Sequence, residues 1–136
     1  MSTYTQAERT LSVTSPLGPD VLLLQGFSGT ESISRLFSYQ LELASENDEI
    51  TPQDIVGKNV TWSVSQIDEA PRYFNGFVCR FIAGAVNRRG LRTYRADVVP
   101  WPWFLTRSTN CRIFQNQSTR EIIEPVFGDF GFKRRP

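Results

Sequence analysis

Histidine is absent from all 136 residues. That absence excludes Ser-His-Asp and Cys-His catalysis, histidine-ligated zinc, and the commonest general base. Cysteine is nearly as scarce: Cys79 and Cys111 stand far apart, with no further ligands in metal-site spacing nearby. Each lies in an apolar, strand-like context, where a buried inert thiol is expected, a disulfide being the alternative. Long apolar runs are also missing, and nothing approaches the roughly 20 residues of a spanning helix. The opening MSTYTQAERT has no basic stretch followed by an apolar one, so no signal peptide is expected. There is no G-x-S-x-G, no phosphate-cradling glycine loop and no cluster of metal ligands. No cofactor is therefore expected.

What is present is the composition of an ordered domain. Hydrophobic residues make up 40% and charged residues 21%, so the chain is neither disordered nor membrane-like in composition. Its length suits one domain with a real core. Net charge is only +1, but it is unevenly spread. Residues 1–70 carry three basic and ten acidic side chains, a balance of −7, while residues 71–136 carry twelve and four, +8. Such asymmetry suits association of unlike patches on neighbouring copies. Strands that interleave in space, so that the charges pair within one copy, would produce it equally well.

The hydrophobic pattern is one of strands joined by turns. Leu11 and Val13 precede the reversal Ser15–Asp20, and Val21–Phe27 is an apolar run of the kind covered on both faces. In Leu36–Ser45, Phe37, Tyr39, Leu41 and Leu43 alternate with Ser38, Gln40, Glu42 and Ala44, which predicts a half-buried strand. Ser45–Glu49 is an acidic tip. Thr51-Pro52-Gln53-Asp54 starts a helix that Gly57 stops after about one turn. Val60, Trp62 and Val64 alternate, Asp68–Pro71 makes a connection, and Arg72–Phe81 forms the next strand. Gly76 inside it predicts a bulge or a sharp bend, useful where a sheet curls. Asn87-Arg88-Arg89-Gly90 is a turn into a strand carrying Tyr94, Ala96 and Val98 on one face.

Pro100 and Pro102 end that strand, and Trp101, Trp103 and Phe104 form an aromatic cluster beyond it. Cys111–Phe114 is a further short apolar segment. Ser118 and Glu121 make a capping box, with Ile122, Ile123, Val126, Phe127 and Phe130 at helical spacing behind it. Pro125 falls inside this helix, so a kink or a later start is expected. Seven or more strands, one late helix and one short helical turn give a mainly β (α+β) fold. The expected form is a strongly curved antiparallel barrel or sandwich, the helix plugging an end or a side.

The string VVPWPWFLTRSTNCRIFQNQSTREIIEPVFGDFGF resembles the N-terminal region of VgrG proteins, the spike-tip components of type VI secretion systems. The family pattern is a strand ending in proline, W-x-W-x-L-T, C-R-I-F-Q, then an apolar helix ending G-F. It is matched here by Trp101, Trp103, Leu105, Thr106, Cys111, Arg112, Ile113, Phe114, Gln115, Gly131 and Phe132. Further matches are L-F-x-Y-x-L-E-L before the acidic tip, G-K-x-V-T after the short helix, and R-Y-F-x-G-x-V from Arg72. The resemblance implies a phage-tail-hub-like, tube-like β-barrel over residues 1–132, followed by a basic tail, 133–136. It implies a homotrimer that docks a puncturing spike onto the type VI tube protein and carries effectors or adaptors. Assembly would be in the bacterial cytoplasm, with secretion through the type VI apparatus. The family's second barrel, oligonucleotide/oligosaccharide-type domain and β-prism needle have no counterpart here, as expected of a fragment or a truncated member.

Two other functions can be weighed on residues. For a glycosidase, Glu42, Glu46, Asp48 and Glu49 are the available carboxylates, but they occupy one strand face and loop and read as a solubilising tip. Asp97, beside arginines, reads as a salt-bridge partner. No enzyme activity is expected. The alternative is a nucleic-acid- or ligand-binding barrel, in which Tyr73, Phe74, Phe77 and Phe81 stack bases beside Arg72, Arg80, Arg88 and Arg89. A pI of only about 7.8 and aromatics that read as core-facing argue against specific nucleic-acid binding. The residues assigned to assembly are basic Arg88 and Arg89 and acidic Glu46, Asp48 and Glu49.

Overall fold

A computed structural model describes residues 3–131; the basic tail 133–136 and Phe132 of the G-F match lie outside the described residues. The chain divides into two compact units, Met1–Pro100 and Trp101–Pro136.

The first unit holds six antiparallel strands and a single helical turn. In chain order these are β1 (Leu11–Thr14), β2 (Leu23–Thr30), β3 (Ser38–Ser45), α1 (Pro52–Ile55), β4 (Asn59–Val64), β5 (Arg72–Val86) and β6 (Arg92–Val99). They form one sheet in the order β1-β4-β5-β6-β3-β2, curled into a nearly closed barrel. The curl is carried by β5, fifteen residues long, whose first half pairs with β4 and whose second half pairs with β6. Phe77 is the node, facing Asn59 on one side and Val99 on the other.

The alternation read in β3 is what fills the barrel. Tyr39, Leu41 and Leu43 are buried beside Trp62, Val78, Tyr94, Ala96 and Val98. Trp62 stacks on Phe74 at 5.5 Å between centroids, and Tyr39 meets Trp62 edge-on at 5.3 Å. Such ring pairs add about 0.5–1.5 kcal/mol each beyond the area they bury. The start of β2 is covered on both faces, as its unbroken leucine run requires. Leu22 and Leu24 join the main core, and Leu23 packs with Ala44 and Leu91 in a second cluster.

The two ends of the sheet, β1 and β2, meet at a seam closed by a side chain. Gln6 is buried, and its Oε1 accepts from the backbone N–H of Val13 (2.9 Å) and of Leu24 (3.2 Å). Its Nε2 donates to the Val13 carbonyl at 3.1 Å. A primary amide thus takes the place of a missing strand neighbour for Val13 and reaches β2 with the same oxygen. The Gln6 N–H is itself held by Asp20 Oδ1 at 3.0 Å.

The second unit contains α2 (Pro102–Leu105), one turn, and α3 (Thr119–Gly128). None of its described residues is buried. Trp101 meets Phe127 edge-on at 4.6 Å, Trp103 meets Phe104 at 5.3 Å, and the Arg107 guanidinium lies 4.1 Å over the Trp103 ring. The Ser118 N–H and hydroxyl both donate to Glu121 Oε2 at 2.7 Å, which holds that carboxyl below its ordinary pKa. Arg112 pairs with Asp129 across the unit.

Four expectations are corrected. The strands number six, because Cys111–Phe114 is irregular and Ile113 is almost fully exposed; an apolar segment of four residues has no partner strand to order it. Cys111 is accordingly exposed and Cys79 half-buried, rather than both being buried. Gly76 keeps regular pairing with Val60; the register shifts fall between Val78 and Arg80 and between Ala83 and Val86. The glycine makes room instead, since a Cβ there would stand 2.5 Å from Val98 Cγ1. Finally, α3 starts at its capping box and runs through Pro125. The proline sits late enough that the cap and the first turn form before its missing N–H matters.

Candidate assembly surface

The residues assigned to assembly come together at one end of the barrel. The register sets Ser45, the last residue of β3, opposite Arg92, the first of β6. The acidic loop after β3 and the basic turn before β6 therefore share a rim. Asp48, Glu49, Arg88 and Arg89 are exposed, and none of these four forms an ion pair among the described residues.

Both loops are built to hold their shape. Asn87 Oδ1 accepts from the N–H groups of Arg89 (2.8 Å) and Leu91 (3.1 Å), and the Asn87 N–H reaches the Leu91 carbonyl at 2.8 Å. Gly90, at φ +77°, supplies the left-handed residue that reverses the chain. On the other side, the Ser45 hydroxyl donates to the Val21 carbonyl at 2.5 Å and accepts from the Asn47 N–H at 3.0 Å. Asn47 Oδ1 accepts from Glu49 N–H at 2.9 Å, while the buried Tyr94 hydroxyl donates to the Asn47 carbonyl at 2.9 Å. Burial pushes that phenol up from its ordinary pKa. Glu46 accepts from the Thr3 N–H at 2.8 Å.

The other functional candidates separate. Phe81 is buried against Tyr94, stacked at 5.0 Å, and Phe74 is part of the aromatic core, so neither offers a free face to a base. Tyr73 alone of the four is well exposed. Glu42 faces Arg95 across the β3–β6 ladder, away from the acidic loop. Asp97 is the salt-bridge partner its surroundings suggested: it accepts from Arg80 Nε at 2.6 Å and from Gln40 Nε2 at 3.1 Å. At the opposite rim Tyr39 donates to Glu31 Oε1 at 2.5 Å. Burial first, and then this carboxylate, push its pKa up to about 12. Gln6 escaped sequence reasoning altogether. Among the described residues, no helix is long and apolar enough to cross a membrane, and no group of three or more carboxylates and cysteines could hold a metal ion.

A curled six-stranded antiparallel barrel followed by a small helical unit is the architecture of a tail-hub module. The chain matches the phage tail baseplate hub (GPD) family over residues 30–136. It therefore belongs to that family, and the resemblance to VgrG proteins read from the sequence is borne out. It is 46% identical over 129 residues to the type VI secretion system spike protein VgrG1a of Pseudomonas aeruginosa, covering 93% of this chain and 20% of the relative. To VgrG1c of the same organism it is 42% identical, covering 95% and 18%. A more distant relative, 27% identical over 124 residues, is the actin cross-linking toxin VgrG1 of Vibrio cholerae, of which 11% is covered. The chain thus spans about a fifth of the length of its most similar curated relatives. Among solved structures, the E. coli c3393 protein superposes with a TM-score of 0.74 at 21% identity, over 90% of this chain and 33% of that one. That protein is described as a type VI secretion component with structural similarity to the T4 tail proteins gp27 and gp5. At this identity the likeness bears on the fold.

Proposed function

We propose that this chain is the hub segment of a type VI secretion spike, which docks a trimeric puncturing device onto the secretion tube and so aids effector delivery. The observation that carries the reading is the hub-family match across residues 30–136 of a nearly closed antiparallel barrel. The partners are further copies of the chain, the tube protein, and effectors or adaptors. Residues 1–132 act as one structural module and 133–136 as a basic tail. The module performs no chemistry, and any catalytic cargo resides elsewhere in the longer protein. Assembly takes place in the bacterial cytoplasm and export goes through the type VI apparatus.

The test is secretion in a bacterium whose full-length spike protein carries Trp62→Ala, which removes the centre of the aromatic core at a cost of about 3–5 kcal/mol. Tube protein is expected to remain in the cells and vanish from the medium. Undiminished export from that strain, and from one lacking residues 11–128, would refute the docking role.

A further inference from the structure

Strand β5 changes character along its length. Up to Phe77 it is flanked by β4 and β6. At Val78 the end of α1 takes over from β4, with Gly57 N–H donating to the Val78 carbonyl at 2.7 Å and Val78 N–H to the Lys58 carbonyl at 3.0 Å. From Arg80 to Val86 the only strand beside it, among the described residues, is β6. This is a sheet edge, and its side chains are apolar and uncovered: Ile82 is 45% and Val86 53% exposed, with Ala83, Gly84 and Ala85 exposed between them. No charge and no proline occurs from Phe81 to Asn87. Folded proteins blunt free edges with lysine, proline or cover, because unpaired N–H and C=O groups template another strand. Here neither lysine nor proline is present. A bulge between Ala83 and Val86 is stabilised by the Thr93 hydroxyl, which donates to the Ala85 carbonyl at 2.7 Å. Beside this stretch lies a depression of about 330 Å³ lined by Gln25, Glu42, Ile82, Thr93 and Arg95, wide enough to take a side chain from outside.

Building on the hub reading, we propose that the Arg80–Val86 edge is where a second copy of this chain attaches, by adding a strand. The charges at the rim identify the occupant. The edge leads straight into Arg88 and Arg89, and the same rim carries Asp48 and Glu49. Two copies set side by side in the same orientation bring the basic turn of one against the acidic loop of the next. Such a contact is head-to-tail, so it leaves both patches unsatisfied at the ends of a pair and is satisfied throughout in a closed ring.

The geometry gives a charge-swap test. Arg88→Glu/Arg89→Glu makes the turn acidic, and Asp48→Lys/Glu49→Lys makes the loop basic; each protein alone then meets itself with like charges. Mixed, both kinds of contact are attractive again. Light scattering across a concentration series, on chains shown folded by circular dichroism, is expected to give an assembling parent, two monomeric swaps and an assembling mixture. Half-molar salt should weaken the mixture several-fold. Ile82→Lys, which leaves the rim charges intact, is expected to be monomeric. A parent that stays monomeric to millimolar concentration, or swaps and Ile82→Lys that assemble like the parent, would overturn the surface. Either result leaves the hub reading to stand or fall on export of the tube protein.

Discussion

Replacing Gln6 by leucine tests the seam directly, because leucine has nearly the same bulk and no hydrogen-bonding group. Three backbone groups would lose their partner: the N–H and C=O of Val13 and the N–H of Leu24. Val13 and Leu24 are themselves buried, so water reaches these groups poorly. A buried polar group left unpaired costs about 1–3 kcal/mol, so three cost about 3–6 kcal/mol once some water entry is allowed. Domains of this size have about 5–15 kcal/mol in total. In urea, a loss of about 3 kcal/mol lowers the midpoint by about 1–3 M at slopes of about 1–3 kcal/mol/M. Amide exchange at Val13 and Leu24 should accelerate together. Gln6→Glu adds a second reading. Its carboxylate can accept from both N–H groups but faces the Val13 carbonyl with no proton, so burial and that carbonyl raise its folded pKa. Stability of this variant is then fullest below the unfolded glutamate pKa and is lost as pH rises through the folded one. A Gln6→Leu protein within about 1 kcal/mol of the parent, with both amides still protected, would show that the seam is closed by something other than this side chain.

Three further outcomes are expected. Gly29→Ala should cost about 1–3 kcal/mol in chemical denaturation, because a Cβ there would stand 2.1 Å from Tyr39 Cδ1 on the facing strand. Tyr39→Phe should remove an alkaline limb of the stability curve. The phenol's folded pKa of about 12 lies above its ordinary value of 10.0, so the parent is fully stable below pH 10 and weakens as pH rises towards 12; thermal melts at stepped pH would show it. Pro125→Ala should raise helicity over Thr119–Gly128 and slow amide exchange there, by up to about 3 kcal/mol locally.

The sequence made those parts of the fold legible whose cause is local. Tyr39, Leu41 and Leu43 announce a strand because side-chain period and burial coincide, and Leu22–Leu24 announce two covered faces because nothing polar interrupts them. Thr51-Pro52 and Ser118…Glu121 announce helix starts because a cap acts within four residues. What stayed hidden is set by distant neighbours. Gln6 is one more polar residue near a terminus until Val13 and Leu24 arrive on either side of it. Gly76 reads as a kink, but its reason is the Val98 methyl group, known only once β6 is in place. Cys111–Phe114 has the look of a strand and lacks a strand to join. For the assembly residues, the sequence supplied the charges and the β3–β6 register supplied the fact that they share a rim.

The nesting of the sheet, β1-β4-β5-β6-β3-β2, also sets a timetable for synthesis. A nascent chain leaving the ribosome can close the β2–β3 hairpin early, but β3 has no second neighbour until Val99 has emerged. For that interval the Leu22–Leu24 run and the apolar face of β3 are open to the cytosol. Since β1 likewise waits for β4, the first strands made are the last to be enclosed, and a chaperone that shields the early hairpin would act on the step most exposed to error.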